Sequence, residues 1–460
     1  MIVLDMTPPA LDALRAQRDG PADRLVDVIR AADPDTPDRE LLPSLLRQTQ
    51  AERAACMGLA EPSGARQEVV DWFADTTALP SWATSPEALA RIERGQRFFE
   101  DWSMPIAATL FCGSLPAAYA ARNGVLVLQR TSELAGSNVN RRVAETGQML
   151  LDVMSLASGP PASLQPGGRG YASARGVRLL HAVIRNTIDA SGTWDAAAHG
   201  EPINQEDLLG TLLTFTTVVF RGLERLQLPF DSDAADDYLF TWCVIGHLLG
   251  IDDDLLPLDR SAAEDLMWTI AARQQHQSAA GDQLMAALLH EMEQSMPWGM
   301  RTFPRALVRR LLDDDIADML HVPRAWVWSR VIAQATTFDN VLSHLPFGPS
   351  VLQLSSEVVG RSMIRMYLDR SLRGDQPPFR VDVPSIDQLD LAGTPVAQAM
   401  RHTRRQCRRT VARTKRTARQ AVAAPLQGTP VATLPPVRSV IERAHREAAM
   451  PVLQPWGAAP

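Results

Sequence analysis

The sequence predicts an all-α protein, one large helical domain with an N-terminal extension and a basic C-terminal tail. Apolar residues recur at helical spacing through most of 85–343, helix starts there carry caps, and strand-like alternation is nearly absent. Only NGVLVLQRT (123–131) and PFRVDVP (378–384) read as short extended pieces, too few to build a sheet. No internal repeat is visible.

Taken in order, residues 1–84 mix short helical patterns with Pro/Asp punctuation (MTPPALD, AADPDTPDRE), as in an extension packed on a larger body. The body, 85–374, opens at SPEALARIERGQRFFEDW, where Ser85 suits an N-cap, Pro86 the first helical position and Glu87 the first turn. Further helices are expected at about 105–121, 139–156, 171–190, 205–227, 233–249, 260–275, 282–295, 304–318 and 323–343. In 205–227, Asn204 caps, Glu206 and Asp207 charge the first turn, and Leu208, Leu212, Phe215 and Val219 continue the apolar stripe. Asp252 to Asp254 read as a polar turn between helices. The tail, 375–460, begins with a linker, GDQPPFRVDVPS, and continues into RHTRRQCRRTVARTKRTARQ.

The chain has 460 residues, 45% hydrophobic and 22% charged, an ordinary globular balance without an apolar run long enough to span a membrane. Asp5 interrupts the apolar start and no basic n-region or cleavage site follows, so a cytoplasmic location is expected. Cys56, Cys112, Cys243 and Cys407 show no metal or redox spacing and read as small packing residues. The net charge of −7 hides an asymmetry: residues 401–460 carry twelve Arg/Lys against two Glu, leaving the rest strongly acidic. Such a tail suits peripheral contact with an anionic membrane surface. With Trp456 as its one aromatic after Phe379, it lacks the stacking platform of a nucleic-acid binder, and no specific nucleic-acid binding is expected.

The candidate chemistry centres on RGVRLLHAVIRNTI. Val177, His181, Ile184 and Ile188 share one helix face with Leu180 beside them, so the imidazole points inward. A buried neutral histidine satisfied by a backbone or carboxylate partner accounts for this, and so does a haem ligand whose apolar surroundings accept the porphyrin. Arg178 and Arg185 stand at i−3 and i+4. They can pair with Asp or Glu, or reach the acidic groups of a cofactor. Upstream, Val143, Gly147, Leu150 and Met154 form a stripe on another helix, with Arg142, Glu145 and Thr146 nearby. A mid-helix glycine costs about 1 kcal/mol relative to alanine, so Gly147 signals close approach by a second helix or by something flat.

Four segments occur in one order: RRVAETGQMLLDVM, RLLHAVIR, WDAAAHGEPINQEDLLGTLLTF and YLFTWCVIGHLLGIDDDLLP. Together they resemble the family that groups ER-bound oxygenase mpaB with the bacterial rubber oxygenase (latex-clearing protein), over roughly 85–345. The resemblance implies a globin-like helical core holding one haem b, with His181 as iron ligand and Arg178, Arg185 and Gly147 around the cofactor. It places Arg142, Glu145 and Thr146 on the oxygen-binding side. The family's Arg-x-x-Lys-Thr is matched by Arg142, Glu145 and Thr146, so a carboxylate stands in place of the lysine. The implied activity is a haem-dependent oxygenase using dioxygen on an apolar, isoprenoid-like substrate. A non-catalytic haem or lipid binder of the same fold is the alternative that Glu145 raises.

Two other motifs compete. LLDDDIADML holds Asp314, Asp315 and Asp318 in the DDxxD spacing of class I terpene synthases, without a second metal motif downstream. HEMEQ at His290 ends in Gln294 and so leaves a zinc site one ligand short. His247 reads as a packing histidine, and no GxGxxG, Walker or GxSxG segment occurs.

Overall fold

A computed structural model describes residues 7–58, 64–75, 79–135, 139–156, 161–294, 296 and 300–343. Among them every regular element is helical, and the β pairing is one isolated bridge between Ala121 and Gln275. The helices are α1 (Pro8–Arg15), α2 (Gly20–Ala32), α3 (Asp38–Cys56), α4 (Gln67–Ala74), α5 (Pro86–Asp101), α6 (Ser103–Thr109), α7 (Leu115–Tyr119), α8 (Gly124–Ala135), α9 (Val139–Val153) and α10 (Arg169–Ser191). They continue as α11 (Ala196–His199), α12 (Gln205–Phe215), α13 (Thr217–Arg225), α14 (Ser232–Leu248), α15 (Arg260–Gln274), α16 (Ala279–Gln294), α17 (Phe303–Leu311), α18 (Asp314–Met319) and α19 (Trp326–Ser343).

The caps read from sequence form. Ser85 accepts from the Ala88 amide to start α5, and Asn204 accepts from the Asp207 amide to start α12. Four expectations change. The apolar run expected to extend over 123–131 is the buried helix α8, with Val125 and Val127 in the core, so packing overrides β-propensity there. The helix expected over 205–227 breaks at Thr216, whose hydroxyl bonds back to the Leu212 carbonyl. The one expected over 304–318 breaks at extended Asp313, whose carboxylate takes both Arg221 and Arg225. Finally, 105–121 is interrupted by a π turn at Leu110–Ser114. Asp253–Leu255 is a single 3-10 turn between α14 and α15, as the polar-turn reading requires.

The main core gathers around α14, which is apolar on nearly all sides and packs against α5. Gly95 permits that approach: a Cβ there would lie 2.2 Å from Thr241 Oγ1 and 2.4 Å from the Asp237 carbonyl oxygen. A second, smaller core joins α2, α3 and α4 to Leu179, Ala182 and Val183 of α10. The opposite side of α10, through Tyr171, Ala174 and Val177, belongs to the main core. Thus α10 is shared by both cores, and Gly192 in the left-handed conformation (φ 63°) ends it.

No helix among the described residues is long and apolar enough to cross a membrane. Cys112 and Cys243 are buried, as packing residues should be, whereas Cys56 is exposed. The possible extended piece at 378–384, Cys407 and the basic tail lie outside the described residues.

Candidate functional site

The site is built on α10. His181 is half-buried as a residue, but its Nδ1 is sealed from solvent and has no hydrogen-bond partner among the described residues. Burial, reinforced by the nearby Arg185 charge and opposed by Asp19, lowers the ring's pKa to about 4. The imidazole is therefore neutral at neutral pH, with a nitrogen that the surrounding protein does not use. The carbonyl or carboxylate partner that would explain a structural histidine is absent among the described residues.

Arg178 and Arg185, the two arginines flanking His181, are both ion-paired. Arg178 makes two bonds to Asp19, 2.6 and 2.7 Å long, with both side chains nearly buried. The fully buried Arg185 binds Asp23 at 2.7 and 2.9 Å and reaches toward the Ile203 carbonyl at 3.5 Å. Burial raises the Asp23 pKa even against the pull of Arg185. Both arginines are thus ion-paired with carboxylates of α2 and its N-cap. Asp19, Asp23 and their partners lie about 160 residues apart in sequence, which is why no local pattern announces them.

The remaining motifs converge on the same turns of α10. Gln205 donates to the Gly250 carbonyl at 2.9 Å and accepts from the Asp252 amide at 3.0 Å, tying α12 to the turn after α14. Gly250 adopts φ +96°, and a Cβ there would lie 2.3 Å from Asp19 Oδ2 and 2.9 Å from Arg178 Nε. The glycine of GIDDD therefore lets the Asp19–Arg178 pair sit against the turn. Next to Gln205, fully buried Glu206 is held by Arg15 (2.9 Å), Arg273 (3.0 Å) and Gln274 (2.8 Å). Arg175 lies over the Trp72 ring at 4.0 Å, and Trp72 Nε1 donates to the Arg175 carbonyl at 3.0 Å.

On the other side, α9 packs against α10. A Cβ on Gly170 would lie 2.9 Å from both the Asp152 carbonyl oxygen and Val153 Cα, so the end of α9 meets the beginning of α10. Glu145 and Gly147 are half-buried and Thr146 is exposed. Arg142 lies on α9, but its side chain is outside the described residues.

The competing motifs have other employment. Asp314 and Asp318 pair with Arg309, and Asp318 also meets Arg324, which leaves the DDxxD spacing as a salt-bridge network. His290 is exposed on α16. His247 is not a plain packing residue, because its Nδ1 lies 2.5 Å from Asp253 Oδ1. Among the described residues no group of three or more His, Cys, Asp or Glu side chains could hold a metal ion. A cofactor held through a single histidine does not need such a group.

An all-helical chain that assembles these motifs around one histidine-bearing helix falls in a defined class. It belongs to the family of the ER-bound oxygenase mpaB/B′ and rubber oxygenase catalytic domain, whose model matches residues 96–340. The rubber oxygenase of Streptomyces sp. (strain K30) is 24% identical over 374 residues, covering 80% of this chain and 86% of that protein. The solved structure of latex clearing protein LCP in the closed state shares the fold, with a TM-score of 0.51 and 22% identity over 77% of this chain and 89% of that one.

Proposed function

We propose that this chain is a haem-b-dependent oxygenase that uses dioxygen on an apolar, isoprenoid-like substrate, with His181 as the iron ligand. The observation that carries the reading is the neutral His181 ring, whose buried Nδ1 lacks a partner among the described residues at the point where the family's motifs converge. The residues present fit that group: a neutral imidazole with an uncommitted nitrogen, beside Val177 and Ile184, is the donor chemistry and apolar setting a haem iron takes. When bound, haem would supply the redox chemistry that activates dioxygen.

The chain's own residues do the rest. Val177, Leu180 and Ile184, all half-buried, give the histidine's face of α10 an aliphatic surface that suits an apolar cofactor or substrate. Arg178 and Arg185, fixed by Asp19 and Asp23, hold the rotation of α10 and hence the direction of the His181 ring. Glu145 and Thr146 on α9, with Arg142 one turn earlier, supply the polar groups of the opposing wall. An acidic side chain there can hold water or accept a proton from substrate.

The test is an absorption spectrum. Protein produced with added haem precursor should show a Soret band that is lost in His181→Ala, while colourless wild-type protein would overturn the proposal. Oxygen uptake with a panel of isoprenoids then separates an oxygenase from a haem-binding protein that performs no chemistry.

A further inference from the structure

Among the described residues, α19 is held to the body along one side. Trp328 and Ile332, with Ala325 just before the helix, pack on Phe303, Ala306 and Leu307 of α17, and the Phe303 and Trp328 rings meet edge to face at 5.5 Å. At about 100° per residue, Trp326, Arg330, Gln334, Val327 and Val331 follow one another around the arc of the helix turned away from those contacts, and all five are exposed. Trp326 is 70% exposed, Val327 73% and Val331 43%. With Met300, three residues before Phe303, they make up four of the seven large exposed apolar side chains among the described residues. Single apolar side chains scattered over a surface need no explanation, but such a gathering at one corner does.

Positive charge without a counter-ion gathers at the same corner. On α17, Arg305 is taken by Glu293, and Arg309 by Asp314 and Asp318. Arg301, Arg310 and Arg330 have no carboxylate and no hydrogen-bond acceptor among the described residues, and Arg310 Nε is buried in that state. From Leu320 to Gln334 the sequence carries two arginines and no Asp or Glu, in a chain that is strongly acidic ahead of its tail.

We propose that the outer face of α19 docks on an anionic lipid surface, with Trp326, Val327 and Val331 entering the interfacial layer and Arg301 and Arg330 meeting lipid phosphates. An indole beside arginines on the free side of a helix is the composition that lies in a headgroup layer. The contact is peripheral, since no described helix is long and apolar enough to cross a membrane. A second copy of this chain fits the face less well. A two-fold contact would bring the same unpaired arginines together, and four side chains fall well short of the roughly 800 Å² per partner of a stable interface. Like charge also makes the basic tail a poor cover. The docking stands apart from the haem reading, although an oxygenase that takes apolar substrates would meet them at such a surface.

The experiment is sedimentation of the full chain with vesicles of phosphatidylcholine, alone or mixed with phosphatidylglycerol. Wild-type protein should bind the mixed vesicles about tenfold or more tightly than the neutral ones, and less so as salt is raised. Trp326→Ser/Val327→Ser should lower affinity for mixed vesicles by about tenfold or more, and Arg301→Gln/Arg330→Gln by roughly tenfold. All four positions are exposed, so the urea unfolding midpoint should stay in place in both variants. Neither variant alters the tail, so binding carried by the tail alone would survive them. Undiminished binding by Trp326→Ser/Val327→Ser would therefore overturn the proposal, as would wild-type protein that ignores mixed vesicles or binds neutral ones equally well. A dimer in analytical ultracentrifugation that dissociates in Trp326→Ser/Val327→Ser would overturn it in favour of a second copy.

Discussion

The state of the His181 ring can be tested without any cofactor, through the pH dependence of stability in haem-free protein. The ring titrates near pH 4 in the folded protein and near 6.5 in the unfolded chain, because burial and Arg185 oppose the imidazolium. Since the folded value is depressed, the unfolded chain takes up the proton first as pH falls. Stability is therefore fully present above about pH 6.5 and is lost as pH drops toward about 4. A tenfold difference in proton affinity corresponds to about 1.4 kcal/mol, so this one group should cost about 2 kcal/mol between pH 7.5 and 5 and about 3 kcal/mol by pH 4. The perturbation is His181→Gln, which keeps a polar side chain and removes the titration. Urea unfolding of both proteins at several pH values gives the assay. Asp23, Asp152 and Asp207 have raised values and also titrate, but they are common to both proteins and cancel in the difference. Wild-type stability relative to the variant should fall by about 2 kcal/mol from pH 7.5 to 5. A difference flat to within about 0.5 kcal/mol would refute the buried, neutral, unpartnered ring on which the site assignment stands.

Two further outcomes test the scaffold around that ring. Asp19→Asn keeps the shape and the capping oxygen of α2 but strands the nearly buried Arg178, and urea unfolding should show a loss of about 3 kcal/mol; an effect below about 1 kcal/mol would mean that the pair is solvated. Gly95→Ala places a methyl 2.2 Å from Thr241 Oγ1 and 2.4 Å from the Asp237 carbonyl, so it should destabilise by about 3 kcal/mol or more. Adding Thr241→Ala should not restore stability, because the backbone contact remains; full rescue by that second change, read as the unfolding midpoint, would show that the helices can separate.

The helical class and most element starts were legible because they depend on local chemistry. Ser85 and Asn204 act as caps within three residues of their partners, and the apolar spacing of α14 reports its own burial. The errors are where tertiary contact decides: α8 has the composition of a strand but lies among buried helices, and the breaks at Thr216 and Asp313 depend on back-bonding and on distant arginines. His181 was legible as an inward-facing histidine. Its missing partner was not, since an unmet hydrogen bond is a property of everything around the atom. Likewise, no sequence rule could choose between a cofactor carboxylate and Asp19 for Arg178.

The same long-range pairs bear on what the helical unit around α10 must include. Arg178 and Arg185 lie inside the family-matched stretch, yet their counter-charges Asp19 and Asp23 lie outside it, at the start of α2. A buried guanidinium deprived of its carboxylate is strongly destabilising, more so than any surface contact between separate modules. Gly250 and Gln205 reinforce the arrangement, one by making room for Asp19 and the other by fixing the turn on which Gly250 sits. A boundary near residue 85 would therefore divide charged pairs that α10 needs in order to keep its rotation. Because that rotation directs His181, the N-terminal helices are better regarded as the outer support of the candidate site than as an attachment to it.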